Sequence, residues 1–425
     1  MKISEVLKAV RKEIILDQKS FKYINIKVQE FLDYLQAEII RYGISAELFI
    51  GGSFAKGTLT KRDTYDVDVY VRFDWCENYL SDTLEKSLRN VAKVLNSQLQ
   101  RIHGSRDYFR ISKDDIIFEV IPVVKITHPK QAYNVTDLSY FHVKYLKKKI
   151  KKTQLAQEII LAKRFFQAQR LYGAEGYVSG FSGYGIECLI IYYKSFLNML
   201  KILAKTKDRI IIDIEKDYKN KNEVLFSLNE SKLQSPGILV DPTWKDRNVL
   251  AALSHETFKK FQEKAKDFLK KPSREFFELT EISTGNLQEI AKRKKGDFLH
   301  IKLETDKQEG DVAGTKMKKF SRFLEFEMRK YFDIVASEFD YAEGQKSDFY
   351  LVVKPRKEFI KTGPPIKMKA AVRAFKALNK KTFVKNGYWY VKEKINFSAK
   401  EFLERWKKLN KEKIKEMGIV GMNVL

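Results

Sequence analysis

The stretch Thr64–Arg72 (TYDVDVYVR) constrains this chain more than any other. Val67, Val69 and Val71 alternate there with Asp66, Asp68 and Tyr70, and a period of two is the side-chain period of a β-strand. Such a strand turns its valines one way and both aspartates the other, with their carboxylates a few ångströms apart. Like charges that close raise each other's proton affinity unless a cation lies between them. Their hard oxygen donors suit Mg²⁺, which takes one or two protein carboxylates and completes its shell with phosphate oxygens and water. An isolated Asp-x-Asp also describes an ordinary solvated strand face, so the neighbouring sequence has to decide.

Two neighbours favour chemistry. Glu47–Ile50 reads as a short strand, and Gly52-Ser53 follows it; backbone N–H groups and a hydroxyl at such a turn can hold phosphate oxygens. Glu119 lies in the apolar strand Ile116–Val124, on the face of Ile117 and Ile121. A charge there is costly without a partner. Either the metals of Asp66 and Asp68 or a basic side chain would supply one. Around these strands, residues 1–43 carry helical spacing (Val28, Phe31, Leu32, Leu35), Ser81–Leu99 reads as helix, and Tyr108–Arg110 as strand. Together they form an α+β unit.

At 425 residues the chain is long enough for about three domains. Lys and Arg outnumber Asp and Glu by 81 to 55, a net charge of +26, with runs at Lys147–Lys152 and Lys292–Lys295. That field attracts a polyanion, because each phosphate contact releases counterions. Cys76 and Cys188 cannot build a disulfide framework, and five scattered His argue against a structural metal cluster. The opening MKISEVLKAVRKEI is a charged amphipathic helix without a signal-peptide core. Gly185–Leu200, the most apolar stretch, contains Glu187 and Lys194 and falls short of a membrane span. The expectation is a reducing, cytoplasmic setting with no membrane partner.

Further on, Val143–Lys205 is helical but for Tyr172–Tyr184 (YGAEGYVSGFSGY), whose four glycines mark a turn or a close backbone approach. Ser235-Pro236-Gly237 and Asp241-Pro242 punctuate a loop before a helix from Asn248. The last third predicts a strand at Phe298–Leu303, a long helix at Thr315–Ala336 and strands at Phe339–Tyr341 and Phe349–Val353, with Gly363-Pro364-Pro365 in a loop. That order suggests a small sheet backed by a helix.

Gly-Ser, a gap of twelve residues, Asp-x-Asp and then a strand carboxylate resembles the nucleotidyltransferase superfamily that includes DNA polymerase β. The resemblance implies two metal ions, one activating a terminal ribose hydroxyl for attack on an α-phosphate, the other steadying the leaving pyrophosphate. Longer stretches are similar to the archaeal-type (class I) CCA-adding enzymes. Gly52-Ser53-Phe54-Ala55-Lys56-Gly57-Thr58 looks like that family's phosphate turn, with Lys56 where the family commonly has Arg. Glu119 stands where the family generally carries Asp. Asp137-Leu138-Ser139-Tyr140-Phe141-His142 resembles a triphosphate-contacting segment, with Ser139 in a Thr position and His142 in the His position. The strongest match is Lys163, then Tyr172-Gly173-Ala174-Glu175, then Gly180-Phe181-Ser182-Gly183-Tyr184. Finally, Asp241-Pro242 through Asp246-Arg247-Asn248-Val249 resembles a base-reading segment.

What the resemblance implies can be stated by residue. Asp66, Asp68 and Glu119 would ligate metal, Mg²⁺ by their chemistry. Ser53, Lys56, Ser139, His142, Lys163, Tyr172, Ser182 and Gly183 would hold the nucleotide, and Arg247 would help select CTP and ATP. The fold implied is multidomain α+β. It has a polymerase β-like catalytic head at 1–142, a helical nucleotide-selecting neck at 143–256, and a tRNA-binding body and tail at 257–425. The tail, roughly 297–356, would carry a small ferredoxin-like sheet. The activity implied is template-independent addition of CMP, CMP and AMP from CTP and ATP to the tRNA 3′ end; a homodimer is compatible with it. The rival readings are a poly(A) or oligoadenylate polymerase of the same superfamily, a non-catalytic RNA-binding relative, and a small-molecule nucleotidyltransferase.

Overall fold

The helical spacing of the first forty residues resolves into two helices. In a computed structural model describing residues 2–74, 80–104, 106–150 and 154–425, α1 (Ile3–Ile14) and α2 (Gln18–Arg41) are separated by Asp17. The Asp17 carboxylate accepts the Ser20 N–H at 2.8 Å, an N-cap that starts α2 where α1 has stopped. Cys76 and the end of the Lys147–Lys152 run lie outside the described residues. The chain divides into two compact units, residues 1–279 and 280–425.

In the first unit, β1 (Ala46–Ile50) leads through the short helix α3 (Gly52–Lys56) into β2 (Tyr65–Phe73). Helix α4 (Leu80–Val94), then β3 (Leu99–Ile102), β4 (Tyr108–Lys113) and β5 (Ile116–Val124) complete a five-stranded sheet of order β1-β2-β5-β4-β3. The sequence reading ran helix to Leu99. The helix instead ends at Val94, and Leu99 starts a strand paired to Ile111. Val67, Val69 and Val71 are fully buried against Phe31 and Leu35 of α2 and Leu84 and Leu88 of α4, in one core. The valine face of β2 thus fixes which way its aspartates point.

A second core in the same unit is built from α5 (Ser139–Ile150), α6 (Leu155–Ala168), α7 (Gly183–Tyr193) and α8 (Phe196–Leu203). It is rich in aromatics, with Phe165, Phe166, Phe181, Phe196, Phe261 and Phe268 all buried. Helix α1 belongs here, through Val6, Leu7, Val10 and Ile14, although β1 to β5 intervene in sequence. A three-stranded sheet follows: β6 (Ile210–Ile212), β7 (Gly237–Asp241) and β8 (Trp244–Asn248). The loop and helix expected around Asn248 are therefore a β7–β8 hairpin, and the helix starts only at His255. Its turn is closed by the Asp241 carboxylate, which accepts the Thr243 N–H at 2.9 Å and hydroxyl at 2.8 Å. An Asx-turn of this kind competes with helix initiation.

In the second unit, strands Asp297–Glu304, Phe332–Tyr341, Lys346–Pro355 and Gly421–Val424 form an antiparallel sheet. It is packed by the helix Asp311–Met328 through Met317, Phe320 and Leu324. The sheet backed by a helix is as the sequence predicts. The helix, however, stops at Met328, and residues expected to extend it to Ala336 already alternate in a strand. Gly363-Pro364-Pro365 ends the strand Glu358–Pro365 and not a loop, with an irregular register between Thr362 and Pro365; prolines fit at such a bulge because no ladder donor is needed there.

Candidate active site

The site begins with two glycines. After β1 the Gly51 N–H bonds the Asp68 carbonyl at 2.9 Å, which folds α3 over β2. Gly52 has φ +57°, and a β-carbon there would lie 1.6 Å from Asp68 Oδ2; one on Gly51 would lie 2.1 Å from the Tyr70 ring. No other residue lets α3 pass this close to the Asp68 carboxylate, so the turn carrying Ser53 and Lys56 is set by contact with it. Gly52→Ala is expected to displace this turn by the order of an ångström and to lower nucleotide addition about 100-fold. Steady-state incorporation, with unchanged circular dichroism as control, measures it; near-normal rates would refute the contact's importance.

Asp66 is exposed and Asp68 half-buried. Asp68 stands level with Glu119 across the parallel β2–β5 ladder, and Arg110 faces Glu119 from β4. Burial, with Glu119 and Asp66 beside it, pushes the Asp68 carboxyl up to about 7, against the pull of Lys56 and Lys163. Glu119 accepts the Arg110 Nε–H at 2.7 Å, so the partner required of a charge in that strand is a guanidinium. Among the described residues no three or more His, Cys, Asp or Glu side chains gather into a metal cage. The Asp66–Asp68 pair stands on this face, with Glu119 level with Asp68 on the next strand. Its oxygen ligands and crowded negative charge fit a divalent cation.

Behind the aspartates lies a cluster that the sequence did not disclose. Lys56 Nζ and Lys163 Nζ both donate to Glu187, at 2.8 Å and 2.7 Å. Lys163 also donates to Thr58 Oγ1 at 3.1 Å. Glu187 on α7 is fully buried. Burial alone would raise its carboxyl, but Lys163 and Lys56 hold it below the ordinary value. The available signal was an acid inside the most apolar stretch of the chain, a place that demands a partner. One carboxylate thus fixes a lysine from α3 and a lysine from α6.

The glycine-rich segment brings the next donor in. Gly173 N–H bonds the Phe181 carbonyl at 2.9 Å, folding 172–181 back on itself. Tyr172 then meets the start of α7, where a β-carbon on Gly183 would sit 2.5 Å from its hydroxyl. Burial and the nearby Glu187 charge push the Tyr172 phenol up to about 12, so it is a hydroxyl donor at neutral pH. Ser182 is the N-cap of α7, its Oγ accepting the Gly185 N–H at 3.0 Å.

Buried Asp241 organises the opposite wall. It is bonded to His142 Nε2 at 3.1 Å, the Tyr184 hydroxyl at 3.0 Å and Arg247 Nη1 at 2.7 Å. Against the effect of burial, His142 and Arg247 hold its carboxyl well below the carboxylate range. Burial lowers the His142 imidazole, with Asp241 opposing, and the ring stacks on Tyr184 with centroids 3.8 Å apart.

All of this encloses a cavity of about 420 Å³, within the range that holds a small-molecule ligand. Ser53, Lys56, Asp66, Asp68, Glu119, Ser139, His142, Lys163, Tyr172 and Gly183 line it. Ser182 and Arg247 do not line it; they stand behind it, at the α7 cap and on Asp241. Arg62, Arg110 and Gln167 line it without having been singled out by the sequence.

Residues 157–278 match the family model for the second domain of tRNA nucleotidyltransferase. The CCA-adding enzyme of Nanoarchaeum equitans is 33% identical over 346 residues, covering 80% of this chain and 82% of that one. That of Methanocaldococcus jannaschii is 29% identical over 399 residues, covering 90% and 86%. Among solved structures, a cytoplasmic RNA terminal U-transferase superposes with a TM-score of 0.50 at 16% identity, covering 66% of this chain and 99% of that one; this likeness shows the polymerase β-like nucleotidyltransferase fold. With that identity sustained over four-fifths of both chains, the protein belongs to the archaeal-type CCA-adding enzymes.

Proposed function

We propose that this protein adds CMP, CMP and AMP, from CTP and ATP, to the 3′ end of tRNA without a nucleic-acid template. The observation that carries the reading is the meeting, in one cavity, of the Asp66–Asp68 pair with the Lys56 and Lys163 ammoniums and the Tyr172 hydroxyl. The cavity pairs a carboxylate face with a cationic one, as a triphosphate bridged to a cation requires. In the reaction the 3′ oxygen of the RNA bonds to the α-phosphorus, the α–β anhydride breaks, pyrophosphate leaves and the hydroxyl proton passes to water.

Asp66 and Asp68 would hold Mg²⁺, which when bound supplies charge neutralisation and activates the attacking hydroxyl. Ser53, Lys56, Lys163 and Tyr172 orient the β- and γ-phosphates, as point charges and hydroxyl or backbone donors. Ser182 acts through the α7 cap, keeping Gly183 against Tyr172. Arg247 and His142 share Asp241, so the residue proposed to read the base is braced on the residue proposed to touch the triphosphate. The excess positive charge serves the RNA.

The test is incubation of tRNA lacking its terminal CCA with each nucleotide. The expected result is two CMP and one AMP added in that order, then a stop. Open-ended tailing with ATP alone, and no use of CTP, would overturn the proposal.

A further inference from the structure

Four cationic side chains line the cavity: Lys56, Arg62, Arg110 and Lys163. Lys56 and Lys163 are held by Glu187, and Arg110 by Glu119. Among the described residues Arg62 meets no carboxylate, and its Nε is buried without a hydrogen-bond partner. Beside it stands a second guanidinium in the same condition. Arg164, on α6, has a buried Nε without a partner. Among the described residues its side-chain bond runs from Nη2 to the Lys61 carbonyl at 2.9 Å, which draws it to the loop that carries Arg62. Burial and the charge of Arg62 together lower the proton affinity of Arg164. Gln167, one turn beyond Lys163 on α6, completes this end of the cavity and keeps a buried, unpartnered Oε1.

Two neighbouring guanidiniums with buried, unused N–H groups and no acid between them repel each other in the empty protein. A polyvalent oxyanion removes that repulsion and takes up the planar donor forks, for which guanidinium is better shaped than ammonium. We propose that Arg62 and Arg164 form a phosphate-oxyanion clamp at the end of the cavity, and that its occupant is the pyrophosphate group, first as the terminal phosphates of the bound nucleotide and then as the leaving product. The assignment rests on the nucleotidyl-transfer reading above. It follows from position: Arg62 lines the same space as Lys163 and Tyr172, while Arg164 does not line it and reaches this end through Lys61, the residue before Arg62. Since Glu187 already cancels one of the two lysine charges, the arginines are the charge left over for a group as anionic as pyrophosphate.

The experiment is calorimetric titration of the full-length protein with inorganic pyrophosphate in EDTA, beside its Arg62→Gln, Arg62→Lys and Arg164→Gln variants. Affinity for tRNA lacking CCA is measured in parallel, and so is CMP incorporation by the unaltered protein. Arg62→Gln is expected to weaken pyrophosphate binding about tenfold, Arg62→Lys to restore only part of that loss, and tRNA affinity to stay within about twofold. Among the described residues the Arg62 guanidinium is in no ion pair and its Nε has no partner, so this variant answers even if Arg164→Gln disturbs the Lys61 loop. Unchanged pyrophosphate affinity in all variants would overturn the clamp. Weakened tRNA affinity with pyrophosphate binding intact would overturn the assigned occupant and give the pair to an RNA backbone phosphate. Failure of the unaltered protein to incorporate CMP would instead strike the function, whatever the arginines do.

Discussion

Asp68→Ala is expected to lower CMP and AMP transfer by about 10³-fold or more while leaving tRNA affinity within about threefold. The carboxylate sits under the Gly52 turn and level with Glu119, at the centre of the proposed cation site, whereas the proposed RNA affinity would draw on the net charge of +26 spread along the chain. Filter binding and single-turnover incorporation on tRNA lacking CCA separate the two. Retention of even a few per cent of the rate would defeat the assignment. The same variant has a second, opposite signature. The folded proton affinity of Asp68, about 7, lies above its ordinary value of 3.8. The folded state therefore holds a proton that the unfolded chain releases, and stability falls as pH rises from about 4 through 7. Alanine removes that cost, so in EDTA at pH above 7 the variant should melt no lower than the parent protein. A catalytic group that destabilises its own fold is what a functional site predicts.

Glu187→Ala should be the most damaging change away from the aspartates. It leaves the ammoniums of Lys56 and Lys163, with side chains 10% and 5% exposed, without the carboxylate that pairs them. Breaking a buried ionic cluster by deleting one partner costs about 3–5 kcal/mol, readable as a shifted midpoint in urea. Glu187→Gln keeps the volume and one acceptor, so it separates packing from charge. The expected outcome for Gln is a partly restored midpoint with a raised KM for CTP and ATP, because the lysines lose the anion that aims them. If Gln restores the KM fully, Glu187 is a packing residue and the lysines are held by other means.

How much could be read in the sequence depended on whether the signal was local. Val67, Val69 and Val71 against Asp66 and Asp68 gave away both strand and orientation, because a two-residue period has one physical solution when one face is buried. That Lys56, Lys163 and Tyr172 belong together was legible only through the resemblance to CCA-adding enzymes, since by its own pattern Tyr172 reads as a core residue. Misreadings came where a side chain bonds its own backbone or a distant partner. Asp241 closes a hairpin that its Asp-Pro signature left as a loop before a helix. The helix after Thr315 stops at Met328 because Phe332 already begins the edge strand of a sheet, paired to Pro355. Glu187 showed only as an acid in an apolar stretch, its partners unreadable, and Arg62 gave no signal. Their significance is an ion pair made across 131 residues in one case and an ion pair not made in the other.

Helix α1 carries a consequence for biosynthesis. Its apolar side, Val6, Leu7, Val10 and Ile14, finds its core only in residues from Leu146 onward, and Arg11 pairs with Glu158. A ribosome extending at about 5–20 residues per second needs roughly seven to twenty-six seconds to cross that interval. Throughout it α1 is an amphipathic helix without a mate, while the five-stranded sheet can already close on α2 and α4 behind it. The chain should therefore emerge with its aspartate-bearing half folded and its first helix waiting, and a holdase that shields that helix would act early in synthesis rather than at its end.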